Sequence, residues 1–311
     1  MKAILTTAMW AVLAGAAFAQ NADIIVQGRP NQAAAHAFVD SLSIAPPSAG
    51  VMGRWNDDIC PGVSGVSPAN AQRIIDQIAR RANAAGLRTG EPGCSPNITI
   101  VVTPDGNQFA HQVYAQRRAL LTGPNGVQSS SLGEAALQAF INTPRPIRWW
   151  HVTQTVMDDG QVLSDDGGRA LQGNGGASAR ANSAAASGQP GGAGGEGVSG
   201  LPVTRSSGTL LRRTTRQDFH YVLVIVDATL LAGASVPAIA DYVAFVSLAQ
   251  INPDLNTASY PTILNLFSNT QPRPTEMTAW DTGYLDGLYH MTRNARTISA
   301  QRSEIAERLS R

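Results

Sequence analysis

Histidines are the first residues in this chain to consider for metal or acid-base chemistry. Zinc enzymes commonly use two histidines one helical turn apart, because positions i and i+4 bring both imidazoles to one ion. The five histidines include no such pair: His36, His111, His151, His220 and His290. His151 and His220 lie in two apolar segments that read as strands, and Asp227 ends the second, so neighbouring strands could bring the three together. They are the set we would assign to a hydrolase with a non-standard active site.

A second group of candidate residues lies in the segment PRPIRWWH, residues 144–151. Trp149 and Trp150, with Arg145 and Arg148 beside them, could stack on a sugar or bind a peptide. Successive side chains of a strand point to opposite faces, so one Trp lies inside and the other is covered by a loop or exposed as a contact. Arg148, Trp149 and Trp150 are therefore candidate binding residues, for an envelope protein or a glycan.

Other familiar chemistries lack their residues. No Gly-x-Ser-x-Gly motif is present, and Lys2 is the only lysine, which argues against Schiff-base chemistry. Three Asp-Asp pairs do not have the spacing of a calcium loop and fit turns instead: Asp57-Asp58, Asp158-Asp159 and Asp165-Asp166. The sequence therefore assigns no catalytic residue, no metal ligand and no cofactor.

The first 19 residues have the pattern of a secretory signal peptide. Lys2 is followed by an apolar stretch and by Ala17-Phe18-Ala19, an A-x-A cleavage site. The apolar stretch is short for a membrane span, and nothing downstream approaches the roughly 20 apolar residues that a spanning helix needs. We expect a mature protein in the periplasm or secreted, without a transmembrane segment.

Export also makes the two cysteines interpretable. Cys60 and Cys94 are the only pair, and an oxidising compartment favours a disulfide between them around a predicted helix. In the chain-entropy model such a bridge contributes roughly 3 to 4 kcal/mol.

Without the leader, arginines and acidic residues balance, so the chain has no excess of basic charge for binding nucleic acid.

The amino-acid composition marks a low-complexity tract within the mature chain, but it does not indicate two independent domains. From residue 165 onward runs a Gly-, Ala- and Ser-rich tract that can bury little, and we expect residues 165–210 to be a disordered insertion. Neither flank has enough apolar pattern to close a core alone. Residues 20–164 and 211–292 are therefore predicted to form one α+β domain, and residues 293–311 a terminal helix or tail, with the tail favoured by a sparse apolar stripe.

The predicted elements give the fold class. Buried strands are expected at residues 97–102, 148–152 and 218–227. Helix starts are marked by Ser67-Pro68, by a capping box at Ser131/Glu134, by Thr278 and Asp281 as caps, and by Ser235 before Pro237. This order of strands and helices predicts an α+β protein with a single mixed sheet packed against helices.

The back half resembles the zincin-like metallopeptidases and exported bacterial proteins related to them. The resemblance covers VLVIVD, ADYVAFVSLAQINPD, YPTILNLF and MTAWDTGYLDGLYH, within residues 215–292. The later part of the pattern is present as Leu264, Met277, Thr278, Trp280, Asp281, Tyr284, Leu285, Leu288 and Tyr289. RWNDDICPGVSGV, residues 54–66, and CSPNITIVV, residues 94–102, also look like segments of such exported families.

The central helix lacks the family's defining motif. Active members carry His-Glu-x-x-His on the helix that follows the sheet, where this chain has Ala240, Asp241, Tyr242, Val243, Ala244 and Phe245. We interpret Asp241 as an acid in the first turn, favourable at the positive end of the helix dipole. The resemblance implies a pseudoenzyme with a binding or structural function in the cell envelope. The alternative is the hydrolase that uses His151, His220 and Asp227.

Overall fold

The computed structural model describes residues 28–124, 127, 129–163, 170–171, 212–231, 233–268 and 272–311. The predicted signal peptide and nearly all of the predicted insertion lie outside the described residues.

A seven-stranded mixed sheet organises the fold. Its strands are β1 (Pro61–Ser64), β2 (Ile98–Thr103), β3 (Ser129–Ser130), β4 (Ile147–Met157), β5 (Val162–Leu163), β6 (Ala170–Leu171) and β7 (Thr215–Asp227). They are ordered β1-β2-β7-β4-β5-β6, and β3 also pairs with β4. The first three strands of this order are parallel, whereas β4 runs antiparallel to β7. The predicted α+β class with a single mixed sheet is confirmed.

Helices cover both faces of this sheet. The helices are α1 (Gln32–Leu42), α2 (Pro68–Ala84), α3 (Gly106–Gln116), α4 (Ala119–Thr122), α5 (Glu134–Asn142), α6 (Val236–Leu248), α7 (Ala279–His290) and α8 (Ile298–Leu309), with 3-10 turns at Ala228–Leu230 and Ile263–Phe267. One apolar core joins the sheet to α1, α2, α6, α7 and α8, and a second, smaller core joins the opposite face to α3, α4 and α5. Most of β4 and residues 222–227 of β7 are therefore buried on both faces.

Local sequence signals fix most helix starts. The Ser67 and Ser235 side chains cap α2 and α6, and Thr278 and Asp281 cap α7 as predicted, in the form of a capping box. The capping box predicted at Ser131 is wrong: α5 begins after Gly133, whose φ of 88° lies in the left-handed region that favours glycine. The side chain of Ser131 is thus too early in the chain to cap that helix.

Two helices differ from the sequence predictions. Helix α1 is absent from the elements predicted above, although Ala35, Phe38, Val39 and Leu42 are buried along one side of it. The terminal segment is an ordered helix, α8, instead of a tail. Its sparse apolar stripe suffices because Gly283 and Gly287 of α7 have no side chain, so Leu309 and Ile305 approach the α7 backbone closely.

Candidate functional site

The resemblance would place a metal site on helix α6, but this helix is buried by the side chains that pack around it. Every residue from Ala238 to Leu248 is buried. Tyr242 packs on Trp149 with ring centroids 6.1 Å apart, and Phe245 packs on Tyr284 at 6.0 Å. These side chains occupy positions of the missing motif and offer no imidazole or free carboxylate there.

Asp241 is the one acidic residue on α6, and its carboxylate is fully engaged. Arg81 binds it in a bidentate pair, with Nε 2.8 Å from Oδ1 and Nη2 2.6 Å from Oδ2. The Gln77 side-chain amide and the Met277 backbone N–H also donate to it. Burial alone would raise the pKa of Asp241, but these hydrogen bonds more than offset it and the pKa lies below its usual range.

The position of Asp241 also differs from our interpretation. Helix α6 begins at Val236, so Asp241 lies in its second turn, beyond the first turn where the dipole acts most strongly. The partner that holds its charge is Arg81 of α2, which sequence proximity could not have indicated.

The structure separates His151, His220 and Asp227. His151 is buried in β4 and its ring lies 4.7 Å from that of Phe219. His220 is exposed on β7, at a register shift where Val152 pairs with Tyr221 and Thr153 with Phe219. His151 pairs with Val222, and the five residues from there to Asp227 span roughly 16 Å of strand. The three side chains therefore do not converge on one site.

Two of these residues also have unsuitable environments for acid-base catalysis near neutral pH. Burial lowers the pKa of His151 to about 3, against a smaller opposing effect of a hydrogen bond with the Val246 backbone, so its imidazole stays neutral. Asp227 accepts hydrogen bonds from Gly106 N at 2.9 Å and from Thr229 N at 3.0 Å. It thereby joins the end of β7 to the start of α3.

Trp149 and Trp150 both lie in the interior. They face opposite sides of the sheet and are 8% and 2% exposed, with Nε1 donating to Ile251 O and Leu121 O respectively. The second ring is covered by helices because the sheet is covered on both faces.

Arg148 is also buried, and its Nη1 donates to Phe140 O at 2.9 Å. The crevice beside Arg148 and the two tryptophans has a volume of about 20 Å³, which admits about one water and no sugar ring.

The cysteines form the predicted disulfide, with the Cys60 and Cys94 Cα atoms 6.1 Å apart. The bridge fixes one end of the RWNDD segment, residues 54–58. Near its other end, Arg54 pairs through its backbone with β7, and Phe219 N donates to Arg54 O at 2.9 Å. The Trp55 ring lies beneath α6, where its Nε1 donates to Ser247 O at 3.0 Å.

This anchored segment forms one wall of a polar cleft of about 240 Å³. Arg54, Asp57 and Asp58 lie on that wall, Arg88 follows the end of α2, and Tyr289 and Arg293 lie at the end of α7. We call this feature the arginine cleft. The sequence singled out RWNDD as a recurrent segment but gave no sign that Arg88 and Arg293 would lie near it.

Comparison with known proteins does not assign this site to a family. No family model, curated protein or solved structure matches the chain. Within the described residues, no group of three or more histidine, cysteine or carboxylate side chains is placed to hold a metal ion. No helix in this part of the chain combines the length and apolarity that crossing a membrane requires.

Proposed function

We propose that this chain is an exported, disulfide-bonded binding protein of the cell envelope, in which the zincin-like central helix serves packing instead of catalysis. The observation that carries the proposal is the closure of Asp241 by Arg81, Gln77 and Met277 inside a helix that is buried on all sides. A carboxylate held by four donors has no lone pair directed at a metal or a catalytic water.

Export is supported by two independent features. The first 19 residues have the pattern of a cleavable leader, and the Cys60–Cys94 disulfide suits an oxidising compartment. The arginine cleft is a polar surface suited to a small ligand, and it lies away from the buried side chains of β4. A binding function is thus favoured over the hydrolase alternative, whose three residues are held apart.

The test uses the full chain expressed with its leader and recovered from the envelope fraction. We expect cleavage after Ala19, an intact disulfide, substoichiometric zinc by elemental analysis, and no peptide hydrolysis that a chelator abolishes. The matched control is a chain without residues 2–19, which should stay in the cytoplasm. Stoichiometric zinc that is lost in His220→Ala, or chelator-sensitive cleavage, would reject the proposal and restore the hydrolase.

A further inference from the structure

The arginine cleft contains a buried guanidinium that is only partly satisfied. Arg54 is 5% exposed, and its Nη1 donates to Leu288 O at 2.9 Å and to Met291 O at 3.3 Å, at the C-terminal end of α7. Its Nε has no hydrogen-bond acceptor among the described residues. A buried donor without a partner costs about 1 to 3 kcal/mol, more when it is charged. A bound acceptor would remove part of that cost.

A second arginine raises the positive potential at the same place. Arg293 is exposed and lines the cleft together with Arg54. Burial, together with the nearby charge of Arg293, lowers the pKa of Arg54 to about 10. The Tyr289 phenol and the Asp218 carboxylate act in the opposite direction and favour the charged form of Arg54. The fold therefore brings two like charges together in a cleft whose wall also carries the carboxylates of Asp57 and Asp58.

The third arginine is held only weakly. Arg88 Nε lies 2.7 Å from Asp58 Oδ1, but the side chains are 80% and 49% exposed. Ion pairs as exposed as this one contribute about 0 to 1 kcal/mol, so a competing anion can exchange with Asp58 at little cost. The wall formed by the RWNDD segment is by contrast fixed, because the Cys60–Cys94 bridge and the Trp55 side chain hold it. A rigid frame with one exchangeable group suits reversible binding.

We infer that the arginine cleft binds a small oxyanion, the carboxylate or phosphate group of a low-molecular-weight ligand, between Arg54 and Arg293, with Arg88 at the rim. This inference deepens the proposed binding function by naming a ligand class and a site. Guanidinium groups bind carboxylate and phosphate oxygens through paired N–H donors. A volume of about 240 Å³ lies below the roughly 300 to 1,000 Å³ of pockets for drug-sized ligands, which limits the occupant to a small molecule.

The test is a calorimetric titration of the purified full-length mature protein with sodium phosphate and, separately, with sodium malonate. Both are run at constant ionic strength set with sodium chloride. We expect saturable binding of at least one anion, and the stronger of the two identifies the headgroup. Arg293→Gln should weaken the affinity for that anion about tenfold, since an ionic hydrogen bond contributes about 1.5 kcal/mol or more. Asp57→Asn should strengthen it, because a negative charge at the cleft is removed.

Arg117→Gln is the matched control, because it removes the same charge from an exposed residue after α3 on the opposite face of the sheet. It should bind like the unaltered protein. The inference fails if neither anion binds, if Arg293→Gln binds normally, or if Arg117→Gln loses as much affinity as Arg293→Gln. Chelator-sensitive peptidase activity with intact anion binding would reject the non-catalytic proposal alone. Absent anion binding in a protein without metal would reject the cleft site alone.

Discussion

Arg81 on α2 and Asp241 on α6 form a bidentate ion pair inside the protein, with the Asp241 side chain 2% exposed and that of Arg81 22% exposed. The pair joins the two helices at the position where the resemblance to zincin-like enzymes would place chemistry. The two opposite charges neutralise each other, and the Asp241 carboxylate also accepts hydrogen bonds from the Gln77 side chain and the Met277 backbone N–H.

Asp241→Ala is expected to lower the free energy of unfolding by about 3 kcal/mol, because it leaves Arg81 without its buried partner. Asp254→Asn is the matched control: Asp254 pairs with Arg145 but is 69% exposed, so we expect a change of about 1 kcal/mol or less. Urea unfolding at pH 7 measures both. Equal losses in the two variants would contradict the structural role given to Asp241.

His151 is expected to make the fold acid-sensitive. Its folded pKa of about 3 lies below the usual value near 6.5, so its contribution is complete above pH 6.5 and is lost as the pH falls toward 3. His151→Met should flatten this part of the profile of unfolding free energy against pH. His111→Asn, at an exposed position of α3, is the control and should leave the profile unchanged. A wild-type slope that persists in His151→Met would assign the acid sensitivity to another group.

Asp281 is expected to act with the opposite sign. Its pKa is raised to about 6 by burial, against the hydrogen bonds donated by Thr262, Ile263 and Thr278. Because the folded pKa lies above the unfolded value near 3.9, the contribution is present below pH 3.9 and is lost as the pH rises through 6. Asp281→Asn should remove that loss between pH 4 and 6, as measured by urea unfolding at several pH values. An unchanged profile would show that Asp281 titrates normally in the fold.

The packing of α7 on α8 predicts different outcomes for two glycines of one helix. A Cβ at Gly287 would lie 3.0 Å from the Ile305 Cα and backbone oxygen, so Gly287→Ala should cost about 2 kcal/mol despite the better helix propensity of Ala. At Gly283 the close atom is Leu309 Cδ1 at 2.5 Å, the end of a side chain that can rotate. Gly283→Ala should therefore be nearly neutral. Thermal unfolding of the two variants compares them, and the reverse order would refute close backbone packing.

Local features of the fold were predictable from the sequence because their causes are local. The caps at Ser67, Ser235 and Thr278 depend on bonds within three residues, and strand β2 is marked by its own apolar run. The Ser131 prediction failed because the left-handed conformation of Gly133 moved the helix start, which a search for capping side chains does not detect. The disulfide could be inferred because only one pairing of two cysteines exists.

The candidate site was not predictable in the same way. The sequence placed Trp149 and Trp150 on opposite faces of a strand, but only the tertiary structure decided that helices cover both faces and bury both rings. The tertiary structure likewise separates His151 and Asp227 along the direction of the strands, although the strands that carry them, β4 and β7, are paired neighbours in the sheet.

The sequence by itself determined the helix caps at Ser67, Ser235 and Thr278, the buried strands, the disulfide partners and the absence of a His-x-x-x-His pair. The tertiary structure alone decided that Arg54, Arg88 and Arg293 meet at one cleft and that Asp241 is closed by Arg81. The physical reason is range: capping and apolar periodicity act within a few residues, whereas charges distant in sequence interact only after the core of α6, α7 and the sheet has packed.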